Sequence, residues 1–393
     1  MKTLDLKNSP CGQLVPTDEN QLAFVPHPPP REVQLSSSSI YLLDQASRAV
    51  ATLAGVGETL PNPHLLIRPF VNREAVLSSK IEGTQASVSD VYLFEASGGR
   101  REGGDVREVA NYIRALELGV ASLEKLPLSV RMANEVHARL LQGVRGEDKM
   151  PGQLRTRQVW IGDRTTPIQE SRFIPPPASF VRDLLYDWEQ FVNADLEMPP
   201  LVQCALMHYQ FEAIHPYLDG NGRIGRLLIT LFLCAKDVLP TPLLYLSAYF
   251  ERDGGDEYRD ELLKVSCTGD WEGWIRYFLR GVAEQARDAL VRSRRVRQLQ
   301  ERYRDRLQEQ RASGNVFRLL DELFFNPFMT APRARQKLGL TYAGARGVLN
   351  RLTNIGIVEY VSGAWPRLYV ARELLTVIEA PVAAEDDDRV RPR

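Results

Sequence analysis

Between residues 39 and 285 apolar side chains recur at spacings of three and four, the period of amphipathic helices buried along one face. The stripe is plain in YLLDQASRAVATLAG (41–55), NREAVLSSKIEG (72–83), VREVANYIRALELGVASLEK (106–125), SVRMANEVHARLLQG (129–143), SFVRDLLYDWEQFVNA (179–194) and LVQCALMHYQFEAI (201–214). Each segment ends near Gly, Pro or Asn, which stop or cap helices. One stretch breaks the period: RTRQVWIGDRTTPIQESRFIPPP (155–177) has two extended runs around a Gly-Asp turn and reads as a hairpin closed by a proline stop. Residues 1–38, rich in Pro and Ser, read as an extended arm lying on the rest. Beyond 285 the period persists but its stripe thins to Leu290, Leu299, Tyr303 and Leu307, with nine arginines against four acids between 287 and 311, the pattern of a solvated connecting helix. Three short helices then precede the alternating runs IVEYV (357–361) and RLYVA (367–371), the order of a winged helix-turn-helix. The acidic and basic tail EDDDRVRPR reads as disordered.

Composition narrows the function. The 393 residues carry 49 basic and 50 acidic side chains, so no global field marks a polyanion binder and any nucleic-acid contact must be local. Four cysteines (Cys11, Cys204, Cys234, Cys267) without a CxxC pair argue against a structural zinc site and a disulfide scaffold. Cys204 and His208 lie four apart and could face one ion, but Leu201, Ala205, Leu206 and Tyr209 around them favour a packed helix. The longest apolar run, LLITLFLCA (227–235), is too short to span a bilayer, and the N-terminus lacks the apolar core of a signal peptide. A cytoplasmic protein without a membrane partner is expected.

The unusual chemistry lies in AIHPYLDGNGRIGRLLI (213–229). A loop with glycines on both sides of Asn221 runs into a strongly helical segment, so free backbone N–H groups and the helix dipole favour an anion there. The glycines let the backbone come close to it. Arg223 and Arg226, three apart, leave the first turn on neighbouring faces and can grip phosphate oxygens. Asp219 at the loop mouth suits magnesium, which takes one or two carboxylates and otherwise uses substrate phosphates. His215, with a reference pKa of about 6.5, is placed to accept a hydroxyl proton.

This stretch closely resembles the signature of the Fic family, His-Pro-Phe-x-Asp-Gly-Asn-Gly-Arg-x-x-Arg, with Tyr217 in place of the phenylalanine. Most Fic proteins move AMP from ATP onto a Tyr, Ser or Thr hydroxyl of a protein. The resemblance implies His215 as general base, Asp219 as magnesium ligand and Gly220, Asn221 and Gly222 as anion hole. It further implies Arg223 on the phosphate chain and Arg226 on the γ-phosphate. Upstream, LSSKIEGTQ (77–85) resembles the family's inhibitory motif Ser/Thr-x-x-x-Glu-Gly/Asn at Ser78, Glu82 and Gly83. Ser78 and Glu82 share a helix face, and Gly83 suits a left-handed C-cap. The resemblance has Glu82 pairing with Arg226 in the seat of the γ-phosphate. The hairpin with Val159, Trp160, Ile161 and Gly162 stands where the family has a flap that aligns the target segment. The region after the signature helix, LSAYFERDGGDEYRDEL (246–262), offers Tyr249 and Tyr258 for the adenine pocket.

The expected architecture is mainly α: a Fic-type helical bundle with a β-hairpin flap, plus a C-terminal winged helix-turn-helix. Its parts are an N-terminal helical region carrying the inhibitory helix (1–110), a catalytic core (111–285), a charged linker helix (286–312), a winged helix (313–380) and a disordered tail (381–393). The expected activity is adenylyl transfer from Mg-ATP to a protein hydroxyl, including the chain's own, restrained by Glu82; the family also implies a homodimer. In the winged helix Tyr342, Arg346, Asn350, Arg351 and Arg367 are the polar candidates for DNA contact, although so few positive charges do not imply tight binding. Removal of AMP and a DNA-binding regulator that senses nucleotide stand as alternatives, and the complete Gly-Asn-Gly-Arg loop disfavours phosphotransfer.

Overall fold

A computed structural model describes residues 6–59, 64–99, 103–162, 167–361 and 367–380. The amino-terminal arm folds back on itself: β1 (Gly12–Pro16) and β2 (Leu22–Pro26) pair antiparallel, with Gly12 opposite Pro26. The expected extended arm is therefore a hairpin, and it does lie on the rest of the chain, since Phe24 N–H donates to the Ile174 carbonyl.

Helices follow: α1 (Ser37–Thr59), α2 (His64–Ile81), α3 (Val88–Ala96), α4 (Gly104–Leu123), α5 (Val130–Leu140), α6 (Val181–Asn193), α7 (Pro200–Ile214), α8 (Asn221–Ala235), α9 (Ser247–Phe250), α10 (Asp256–Thr268) and α11 (Trp271–Glu309). The helix expected from residue 72 begins at His64 and runs through Pro69, whose ring removes one backbone donor near the helix start. α3 escapes the periodicity because its nine residues carry buried groups on several faces; a Ser87–Asp90 capping box starts it. α7 has buried residues on every side, Gln203, His208 and Gln210 among them, so it forms the centre of the bundle.

Among the described residues the expected hairpin over 155–177 does not form as two strands. A single antiparallel bridge joins Ile161 to Phe173, and residues 168–170 make one tight helical turn between them. Pro167 and Pro175–Pro177 have no N–H to donate, so a ladder cannot extend. Asp163 of the expected turn lies outside the described residues.

The arginine-rich segment is not a separate solvated element. It is the second half of the 39-residue α11, and Leu290, Leu299, Tyr303 and Leu307 are all at most 1% exposed. One thin apolar stripe suffices for burial because α1 packs along one part of α11 while α12 (Gly314–Phe325) and α15 (Arg372–Glu379) pack along the rest. Between those two come β3 (Phe328–Thr330), α13 (Ala331–Leu338), α14 (Tyr342–Asn354), β4 (Glu359–Val361) and β5 (Leu368–Val370). The strands form an antiparallel sheet in the order β3-β5-β4, one strand more than the sequence suggests. The tail from 381 lies outside the described residues. One contiguous apolar core runs from Leu6 to Ile378, and among the described residues no helix is long and apolar enough to cross a membrane.

Candidate active site

α7 ends at His215, whose backbone is left-handed (φ 50°, ψ 61°), ahead of Pro216, which cannot continue the helix. His215 Nδ1 stands 3.3 Å from the Glu212 carbonyl, which only accepts, so Nδ1 carries the proton and Nε2 presents its lone pair. Burial, assisted by the positive charge of Arg155, pushes the imidazole pKa down to about 4. The ring is neutral at pH 7 and able to accept a proton.

Arg155 holds this turn from outside. It is 2% exposed, and its Nε donates to the His215 carbonyl at 2.8 Å while Nη2 reaches the carbonyls of Pro176 (2.5 Å) and Ile214 (3.3 Å). Burial of a guanidinium among carbonyls lowers its pKa to about 10, still fully charged at neutral pH. His137 holds the other end of the loop. Its Nδ1 accepts from Gly152 N–H, so Nε2–H donates to the Asp219 carbonyl at 2.9 Å, and the ring stacks on Tyr217 at 3.8 Å. Neither residue carries a sequence signal of its own.

α8 starts after Gly220 (φ 81°), and its first internal bond runs from Ile224 N–H to the Gly220 carbonyl. The N–H groups of Asn221, Gly222 and Arg223 therefore have no partner inside the helix. The Asn221 side chain does not face the anion seat: it accepts from Tyr217 N–H (2.8 Å) and donates to the Tyr217 carbonyl (2.9 Å), clamping the loop. What Asn221 offers an anion is its backbone N–H.

Both signature arginines are buried and held. Arg223 reaches Asp219 (3.3 Å) and Glu108 (3.2 Å), a carboxylate on α4 that also takes Arg145 at 3.0 Å. Arg226 donates from Nε to Ser78 Oγ at 2.9 Å, and from Nη2 to the Ser78 carbonyl at 2.8 Å and to Glu82 at 2.7 Å. Gly83 adopts φ 90°, the left-handed conformation that stops the chain after α2. Burial works to raise the Glu82 pKa, but Arg226 outweighs it and holds the carboxylate ionised below its ordinary value. A Cβ on Gly222 would collide with the Glu82 carboxylate, so that anion rests directly on the N-terminus of α8.

Beside Glu82 lies a cavity of about 150 Å³ whose lining includes Gly222, Arg226 and His215 together with the apolar side chains of Ala213, Phe173, Leu262 and Leu263. Tyr258 lines it as well, its hydroxyl donating to His208 Nε2 at 2.7 Å while His208 Nδ1 donates to the Gly225 carbonyl. Both nitrogens of His208 are thus engaged, and Cys204 is buried, so this pair is packed helix and not a metal site. Tyr249 does not reach the cavity: its ring packs on Gly281 and on Tyr277 at 4.9 Å, where the missing Gly281 side chain makes room. Of the four flap candidates Ile161 lines the cavity; Val159, Trp160 and Gly162 do not, and Trp160 is 41% exposed.

Among the described residues no three His, Cys, Asp or Glu side chains gather as a metal cage. Asp219 alone, 36% exposed at the loop mouth, fits a magnesium ion that completes its shell with phosphate oxygens and water. In the C-terminal module Tyr342, Arg346 and Asn350 are exposed, whereas Arg351 donates to the Gln310 carbonyl and Arg367 stacks over Tyr360.

Comparison with known proteins bears on this geometry. Residues 40–121 match the Fic/DOC family N-terminal region and residues 127–233 the Fic/DOC family domain. The protein adenylyltransferase fic-1 of Caenorhabditis elegans is 28% identical over 207 residues, which cover 50% of this chain and 37% of that protein. The protein adenylyltransferase Fic of Drosophila melanogaster is 28% identical over 171 residues, covering 42% of this chain and 30% of that protein. The matches thus span only about a third of these relatives' length. A Fic family protein from Desulfovibrio desulfuricans shares the fold, with a TM-score of 0.56 and 20% identity over 88% of this chain and 98% of that one. A Fic domain containing signaling protein from Bacteroides thetaiotaomicron does so with a TM-score of 0.50 and 18% identity over 65% of this chain and 96% of that one. The loop from His215 to Arg226 and the Glu82 that follows α2 both lie inside these two tandem matches, so residues 40–233 carry a Fic/DOC family N-terminal region and a Fic/DOC family domain.

Proposed function

We propose that this chain transfers AMP from ATP to a hydroxyl group of a protein and rests in a state blocked by Glu82. The observation that carries the reading is the seat at the start of α8. Three backbone N–H groups and Arg226 converge there, His215 lines the same cavity, and the Glu82 carboxylate just after α2 sits where a phosphate would.

In the reaction the hydroxyl oxygen of the target attacks the α-phosphorus, and its proton passes to His215 Nε2. The bond from the α-phosphorus to the bridging oxygen breaks, and pyrophosphate leaves with the electron pair. Gly222 and its neighbours bind the charge on the α-phosphate through their N–H groups, and Arg223 and Arg226 bind the leaving phosphates. Asp219 would hold magnesium, which neutralises the phosphate oxygens. Glu82 must leave Arg226 before the γ-phosphate can take its place.

ATP labelled at the α-phosphate, compared with ATP labelled at the γ-phosphate, tests the reaction type. Retention of the α-label on protein supports adenylyl transfer, and retention of the γ-label alone makes the enzyme a kinase. Release of AMP from a modified protein, without labelling, supports the reverse activity.

A further inference from the structure

Glu212 is the second carboxylate that lines the cavity, one helical turn before His215 on α7. Its Oε1 lies against α8 at Gly225, where any Cβ would overlap it, and is buried without a hydrogen-bond partner among the described residues. Burial raises the pKa of this carboxyl to about 7; Arg226 opposes the rise and Glu82 adds to it. A buried polar atom left unpaired is destabilising, and a ligand hydroxyl toward which the carboxyl turns recovers that loss.

Phosphates belong at Gly222 and Arg226, and the apolar wall of Ala213, Phe173, Leu262 and Leu263 suits a base. Glu212 stands on α7 about 5 Å along the helix axis from His215. His215 serves the α-phosphate, so the next part of the nucleotide is its sugar. A ribose presents two vicinal hydroxyls, and a carboxylate is the group that dinucleotide-binding folds use to hold the 2′-hydroxyl.

We propose that Glu212 reads the ribose of the nucleotide: its carboxyl bonds the 2′- and 3′-hydroxyls and so makes the site select ribonucleotides over deoxyribonucleotides. The inference rests on the adenylyl-transfer reading for the orientation of the nucleotide. Glu212 is a specificity-determining residue and takes no proton from the target.

The test uses the full chain carrying Glu82→Gly, alone and with Glu212→Gln or Glu212→Ala. Calorimetry with magnesium and ATP, 2′-deoxyATP or 3′-deoxyATP reads binding, and transfer of α-label reads turnover. The Glu82→Gly chain is expected to prefer ATP over either deoxynucleotide by roughly 10- to 100-fold, since a site built around a hydroxyl rejects the analogue that lacks it. Glu212→Gln should shrink that preference and Glu212→Ala abolish it, with 2′-deoxyATP bound as by the parent. Melting temperatures establish that the variants are folded, and a role confined to packing would weaken all three nucleotides alike. Preference retained in Glu212→Ala, or none in the parent, overturns the ribose assignment even if label is transferred. Discrimination that depends on Glu212 without any label transfer leaves the assignment standing and sinks the transfer reading. No binding of any nucleotide overturns both.

Discussion

Glu82 and Arg226 meet at 2.7 Å, and the Nη2 that holds Glu82 also donates to the Ser78 carbonyl while Nε donates to the Ser78 hydroxyl, so the guanidinium is fixed more completely than in a surface ion pair. Site couplings of about 1–3 kcal/mol correspond to roughly 5- to 150-fold in occupancy, so Glu82→Gly should raise AMP transfer within that range. Gly222→Ala is expected to act the other way. Its methyl group fills the seat that phosphate needs, and in the Glu82→Gly background transfer should fall by about 10²-fold, measured as initial rate at saturating ATP. His208 gives a pH signature. Burial, aided by Arg226, lowers its pKa from 6.5 to about 3, so acid protonates the unfolded chain first. Its contribution to stability is complete above pH 6.5 and is lost progressively as pH falls toward 3. Denaturant titrations should show His208→Gln flattening the pH dependence across that window by about 1.4 kcal/mol per pH unit. His215, Asp219, Arg223, Arg226 and Glu82 are legible in the sequence because their spacing is local. Glu108, His137 and Arg155 are not: they reach the loop from 115, 82 and 60 residues away, and nothing distinguishes a buried arginine from a solvated one along the chain.

At the scale of elements, the turn from α7 into α8 is held by Arg155 and His137, neither of which lines the cavity. Arg155 bonds the carbonyls of Ile214 and His215 and thereby fixes where Nε2 points. Arg155→Met should lower kcat by about 10²-fold, as misplacing a catalytic group by about 1 Å does, while KM for ATP changes little. An equal effect on KM would mean that Arg155 shapes the nucleotide site itself. The helical period gave reliable notice of α4 to α8, since each buries one long face or all of them. It failed at 155–177, where extended residues and a Gly-Asp pair suggested strands but four prolines leave room for one bridge. It failed again in α11, where charge density implied a solvated helix although a stripe one residue wide per turn is buried between neighbours.

At the scale of the molecule, the C-terminal module is fastened to the same α2 that leads directly into Glu82. α12 and α15 pack on α2, Asn326 donates to the Tyr92 carbonyl in α3, and Arg292 of α11 donates to the Ile378 carbonyl at 2.7 Å. Arg292 is 1% exposed and also binds Asp288, so Arg292→Met takes a buried donor from the carbonyls of Val377 and Ile378 and leaves Asp288 only its 3.5 Å contact with Arg73. That variant should lose about 3 kcal/mol of stability in denaturant titration, and with one continuous core it should still unfold in one transition. A separate early transition would mean that the module folds independently. In the proposed reaction one constellation supplies both the chemistry and its restraint. The most direct measurement incubates the wild-type chain, Glu82→Gly, and Glu82→Gly with His215→Ala with magnesium and α-labelled ATP, and follows label retained on protein. Faint labelling by the wild type, strong labelling by Glu82→Gly and none by the double variant is the predicted result. Labelling that is the same with and without Glu82, or that survives loss of His215, would contradict the account.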